Sequence, residues 1–184
     1  MIHMGEVVSS GSPLILADPG AALFDVSQID VSARVCGKEG IHEWIPHRGD
    51  MSLLDAVVYT GPGYKEVVGL KQVREGEVWI PGHFPDLPLL PGVFMVEAAA
   101  QLMCWMFNVR RGEPSPAAFL RITDCSFRNS VTVGDDLYIL AKEVKFGGRG
   151  YVAAVQGIIE GKIAFEAELR GMVLPERKAK DLGL

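Results

Sequence analysis

His83 and Glu97 are the residues whose types and setting can move protons. His83 lies in Gly82-His83-Phe84-Pro85-Asp86-Leu87-Pro88-Leu89-Leu90-Pro91-Gly92-Val93, and Glu97 follows in Phe94-Met95-Val96-Glu97-Ala98-Ala99-Ala100-Gln101. An unperturbed histidine titrates near ~6.5 and can act as a base at neutral pH. A carboxyl group carried into an apolar helix favours its protonated form, and in that form it donates a proton to a leaving hydroxyl. Between the two, Pro91 suits the start of a helix, where the first amides have no partner within the helix. The free N–H groups of Gly92 and Val93 then face outward with the positive end of the helix dipole, able to receive a developing oxyanion. Gly92 has no side chain, so a substrate carbonyl can approach its backbone. A base, an acid and amide donors aimed at one carbonyl make a site for proton abstraction and elimination beside that carbonyl. Each residue also has a plainer use: a loop histidine without a catalytic task, and a helix glutamate paired with a buried arginine or amide.

The elements that must position these residues can be read around them. Four prolines (Pro81, Pro85, Pro88, Pro91) stiffen the loop and fix where His83 points. From Val93 to Val109 the chain reads VFMVEAAAQLMCWMFNV, apolar on all sides apart from Glu97, Gln101 and Asn108. A membrane span needs about twenty apolar residues, so this run is expected to be the buried central helix of a soluble fold rather than a span. Arg110-Arg111-Gly112 suits its carboxyl end. A short helix is expected over 38–45, ended by Pro46, and strands over 55–60 and 64–73, joined through Gly61-Pro62-Gly63. After the helix, segments 118–127, 137–146, 151–159 and 162–174 read as consecutive strands. In the last, Ile163, Phe165, Ala167, Leu169 and Val173 alternate with Lys162, Glu166, Glu168 and Arg170. An antiparallel sheet wrapped around one helix satisfies this order, an α+β architecture, with a second subunit supplying the cover that the sheet cannot. Residues 1–37, broken by Gly11-Ser12-Pro13 and Asp18-Pro19-Gly20, are expected to form an extension that lies on the domain surface or is partly mobile. The domain itself spans 38–174, and 175–184 is a charged tail.

Composition narrows the function classes. The chain has 184 residues, 48% of them hydrophobic and 22% charged, which suits one folded domain and argues against wholesale disorder. Its net charge of −5 disfavours a nucleic-acid binder working by phosphate neutralisation. Three cysteines without metal-ligand spacing, and an amino terminus without the pattern of a secretory signal, point to a reduced, cytoplasmic setting.

The segment GHFPDLPLLPGVFMVEAAAQ resembles the signature of the (3R)-hydroxyacyl-acyl-carrier-protein dehydratases of fatty-acid synthesis, the FabZ type, which have a hot-dog fold. Upstream, IPHRGDMSLLDAV is similar to that family's Pro-His-Arg segment, and FRNSVTVGDDL and the strands to Leu174 resemble its carboxyl-terminal half, so the likeness covers roughly 41–174. The resemblance implies that His83 is the catalytic histidine, that Glu97 is the catalytic carboxylate contributed by the partner of a homodimer, and that the Gly92 amide polarises the thioester carbonyl. It implies a structural role for His47, and glutamate at 97 is similar to the dehydratase-only branch. Trimers of dimers are a further assembly that this family likeness admits. No metal or organic cofactor is implied. Trp79-Ile80-Pro81 and Ser130-Val131-Thr132-Val133 depart from the family pattern, which bears on acyl-chain length and assembly.

On this basis a β-hydroxyacyl thioester is expected to lie along the central helix, with its acyl chain in an apolar tunnel lined by Phe94, Met95, Leu102 or Met103. An acidic carrier protein would need a local basic patch on this acidic chain, for which Arg110, Arg111, Arg121 and Arg128 are candidates. A hot-dog acyl thioesterase, a non-catalytic acyl-binding module, and a dehydratase of a specialised lipid or polyketide pathway are the alternatives.

Overall fold

The computed structural model describes residue 14 and residues 16–174. Residues 1–13 of the expected extension, and the expected tail at 175–184, lie outside the described residues. Seven strands form one antiparallel sheet: β1 (Cys36–Gly37), β2 (Ala56–Thr60), β3 (Glu66–Gln72), β4 (Ala117–Phe127), β5 (Asp136–Phe146), β6 (Gly150–Ile159) and β7 (Lys162–Val173). Their spatial order is β1-β2-β3-β5-β6-β7-β4, which leaves β4 at one edge. A short helix α1 (Lys38–His42) follows β1, and the long helix α2 (Gly92–Arg111) joins the two halves of the sheet.

Helix α2 begins where Pro91 (φ −55°, ψ 131°) turns the chain and ends where Gly112 takes up φ 70°, a left-handed conformation that glycine adopts without a Cβ clash. By length and composition alone it could cross a membrane. Here the sheet wraps it: Leu102, Met103 and Phe107 are fully buried in one cluster with Val67, Leu137, Ile139, Val155, Phe165 and Leu169. That enclosure is why the helix is apolar on nearly every side. Its far end is tied by Asn108, whose Nδ2 donates to the carbonyls of Trp44 (2.8 Å) and Ser115 (2.9 Å). Arg110 pairs with Glu143 of β5 and lies over the Phe146 ring at 4.0 Å.

The opposite face of the sheet is covered too. Leu14, Leu16, Phe24, Val26, Ile29 and Val31 are buried against Ala56, Val58, Val68, Leu70, Leu140 and Ile158. Gln156 of β6 fastens this segment, accepting from the Leu23 N–H (3.3 Å) and donating to the Ala21 carbonyl (3.0 Å). Apolar side chains hidden this way contribute about 2 kcal/mol each before the ordering of the chain is counted. This part of the amino-terminal region forms a second apolar layer on the outer face of the sheet.

Two local features differ from the sequence pattern for identifiable reasons. The Pro62–Tyr64 segment forms a 3-10 turn, so β3 starts at Glu66 rather than Tyr64. In β7, the pairing shifts where Gly157 opposes Phe165 and Ile158 opposes Ile163. The extra residue, Ala164, turns Ile163 to the outer cluster while Phe165 and Leu169 stay on the helix side.

Candidate active site

The loop carrying His83 is anchored before it reaches the histidine. Lys71, on β3 and only 3% exposed, donates to Glu77 Oε2 at 2.9 Å, and Trp79 Nε1 donates to the same oxygen at 2.9 Å. Glu77 Oε1 accepts the Arg74 N–H at 3.0 Å. Burial alone would push the Glu77 carboxyl up, but these donors outweigh it and hold the group below its ordinary value. The carbonyl of Trp79 then accepts the N–H groups of Gly82 (3.1 Å) and His83 (2.9 Å). One carboxylate thus fixes the turn from which His83 projects. Nothing in the local sequence marked Lys71 or Glu77 for this task. A charged residue in the middle of an apolar strand was the available signal.

His83 Nδ1 lies 2.9 Å from the Leu89 carbonyl, and the ring stacks on Phe84 with centroids 4.2 Å apart. A carbonyl oxygen only accepts, so Nδ1 carries a proton, and in the neutral ring the lone pair is on Nε2. The histidine lines a cavity of about 490 Å³ together with Pro91, Gly92, Val93, Met95, Phe127 and Asn129. Within this cavity wall, the Gly92 and Val93 N–H groups have no acceptor among the described residues, as the first turn of a helix requires. The space a Gly92 side chain would take is filled by the Phe127 ring, whose Cε1 would lie 2.7 Å from an added Cβ. The glycine therefore admits a ring of its own chain, and that ring walls the cavity.

Glu97 does not line this cavity. Its side chain, 28% exposed rather than fully buried as the apolar run led us to expect, accepts a hydrogen bond from Gln101 Nε2 at 3.0 Å. His47 Nε2 lies 3.5 Å from Glu97 Oε1, and His47 Nδ1 is buried without a partner among the described residues. Burial pushes the His47 pKa down, against the pull of Glu97. Within one chain, then, His83, Gly92, Val93 and Met95 come together, whereas Glu97 joins His47 and Gln101. Phe94 lines a separate cleft of about 250 Å³ beside Trp79, and Leu102 and Met103 are locked in the core. Leu102 packs so closely on Gly69 that a Cβ there would lie 2.9 Å from its Cδ1.

The four candidate docking arginines also separate. Arg110, Arg111 and Arg128 are paired with Glu143, Glu113 and Glu166. Arg121 has no ion pair among the described residues and stands opposite Arg170 across β4 and β7.

Residues 45–168 match the family model described as a FabA-like domain. Over 134 residues the chain is 37% identical to the 3-hydroxyacyl-(acyl-carrier-protein) dehydratase FabZ of Halalkalibacterium halodurans, covering 71% of this chain and 94% of that protein. The chain belongs to the FabZ-like dehydratase family. The FabZ likeness extends to the bifunctional enzyme LpxC/FabZ of Porphyromonas gingivalis, 35% identical over 142 residues, which are 75% of this chain but only 30% of that longer protein. Among solved structures, the dehydratase heterocomplex ApeI:P from Xenorhabdus doucetiae superposes with a TM-score of 0.64 over 77% of this chain and 95% of that one, at 19% identity. This FabZ-like chain accordingly has the hot-dog fold, a seven-stranded antiparallel sheet around one long central helix.

Proposed function

We propose that this protein dehydrates (3R)-3-hydroxyacyl thioesters of acyl carrier protein to trans-2-enoyl thioesters in cytoplasmic fatty-acid biosynthesis. The observation that carries this is the setting of His83: Nδ1 is committed to the Leu89 carbonyl, and the ring lines a cavity beside the Gly92 and Val93 N–H groups, which have no acceptor among the described residues. His83 Nε2 takes the C2 proton while the Gly92 and Val93 N–H groups receive the charge gathering on the thioester oxygen. Glu97 gives a proton to the C3 hydroxyl, the C3–O bond breaks, the electron pair left at C2 closes the double bond, and water departs. The resulting imidazolium and carboxylate reset by proton exchange with solvent. The chemistry calls for no metal or organic cofactor.

The carboxylate in each site comes from the other subunit of a homodimer. Two features support this: Glu97 is absent from the lining of the His83 cavity, and β4 is an edge strand with Phe119, Leu120, Ile122 and Phe127 exposed along it. A bare apolar edge is a template for pairing with a second chain.

The deciding experiment follows crotonyl thioester with the purified protein. Hydration supports the proposal, release of free thiol indicates a thioesterase, and binding without turnover indicates an acyl-binding module. Shared sites are tested by mixing the inactive variants His83→Ala and Glu97→Gln. Subunit exchange should restore about a quarter of the activity, since a two-fold dimer of the two then has one intact site. No recovery would mean that each chain builds its site alone.

A further inference from the structure

Of the four side chains expected to line an acyl tunnel, Met95 alone reaches the His83 cavity. That cavity has two unlike ends. One is apolar and buried, closed by Leu90 (4% exposed) and Met95 (3% exposed). The other is a polar rim of Arg128, Asn129 and Ser130, all exposed. An acyl chain gains by leaving water, whereas the carrier-linked end of the substrate must reach out to its carrier. A bound thioester therefore lies with its chain toward Leu90 and Met95 and its sulfur side toward the rim.

The two residues at the apolar end close it by different means. The Leu90 N–H donates to the Val131 carbonyl at 2.8 Å and Leu89 bridges Thr132, so that wall is tied down through the backbone. Met95 closes the end with its side chain, an unbranched thioether that fills a gap without strict demands on shape. Three and four residues further along α2, on the same helical face, stand the buried Ala98 and Ala99. Met95 is thus the one large side chain between the cavity and a small-residue stretch of the helix. Its place also limits reach. It follows Gly92 by three residues, about 4.5 Å along the helix axis. With the thioester oxygen at the Gly92 and Val93 amides and C2 at His83, little chain beyond the fourth carbon fits before Met95 is met. We infer that Met95 is a specificity-determining residue that closes the acyl end of the site and restricts the protein to short-chain substrates of the crotonyl class. The inference deepens the dehydration proposed above and rests on it.

The test compares hydration of crotonyl and decenoyl thioesters of one carrier protein. In the parent, kcat/KM for crotonyl should exceed that for decenoyl by about tenfold or more. Comparable values would overturn the inference. Met95→Ala should then raise the decenoyl-to-crotonyl ratio of kcat/KM by about tenfold, mainly through a lower KM for decenoyl. A residue that only filled the core would lower both rates together when truncated, so an unchanged ratio in folded protein would also overturn it. Should the alanine variant fail to fold, Met95→Val removes less volume and is read by the same ratio, with a rise of about threefold expected and no rise counting against the inference. If the parent hydrates neither thioester, the dehydratase reading itself fails, which is distinct from turnover without length preference.

Discussion

His83 and Glu97 are held by opposite means. The histidine rides on a loop that owes its shape to prolines, backbone hydrogen bonds and one anchoring carboxylate, Glu77. The glutamate rides on α2, whose shape is imposed by the core on several sides, and only its carboxyl plane needs a separate hold, from Gln101. A loop of this kind has few redundant contacts, so one lost anchor releases it. The helix has many, so its position survives most single losses and only the fine aim of the carboxyl is exposed to them.

The largest expected effect breaks both sides equally. His83→Ala and Glu97→Gln should each lower enoyl-thioester hydration by about a thousandfold while leaving the melting temperature nearly unchanged, as general acid–base groups do. A retained rate in either would remove that residue from the chemistry. Next, Glu77→Gln should cost about 3 kcal/mol, because it strands the buried Lys71 ammonium. The sign of its pH dependence follows from the lowered carboxyl. The folded-state pKa lies below the unfolded value of 4.5, so the stabilisation is full above that value and lost as pH falls through the folded one. Denaturant titrations from about pH 7 to about pH 3 should show parent and variant converging in acid, and a constant gap would refute the anchor.

On the helix side, Asn108→Ala should cost about 2 kcal/mol by leaving the buried Ser115 carbonyl and the part-buried Trp44 carbonyl without this donor. It should leave kcat of the folded protein unchanged, whereas Glu77→Gln should lower kcat even where the protein is folded. That contrast is what separates the loop from the helix, and equal behaviour of the two variants would erase it. The smallest effect belongs to Gly92→Ala, where the new methyl must displace the half-exposed Phe127 ring at a cost of about 1 kcal/mol. Pairing it with Phe127→Leu should recover most of that loss in a double-mutant cycle.

Much of the scaffold was legible in the residues. The mostly apolar run from Val93 to Val109 called for burial on most sides, and the alternation from Phe165 to Val173 placed β7 with one wet face. The proline-rich loop and the Pro-Gly helix start also marked His83, Gly92 and Val93, which the structure gathers at one cavity. Three things were not legible, each for a physical reason. Gln101 meets partners 48 and 50 residues away, and nothing in its own helix turn encodes them. Ile163 keeps the period of β7 in sequence, but a bulge at Ala164 reverses its face. Leu14 to Val31 has no helical or strand period, because it lies irregularly over a sheet face that other segments build.

That last segment also sets an order of events. Ala21 is joined to Gln156 across 135 residues, and the face it covers is made from β2, β3, β5 and β6. During synthesis the covering residues leave the ribosome long before the final strand of that face exists. They must wait as loose chain until the sheet has paired, and loop closure over such a distance is slow. The earliest of the described residues to be made are therefore among the last to find their place, and until they do the nascent sheet has a bare apolar back.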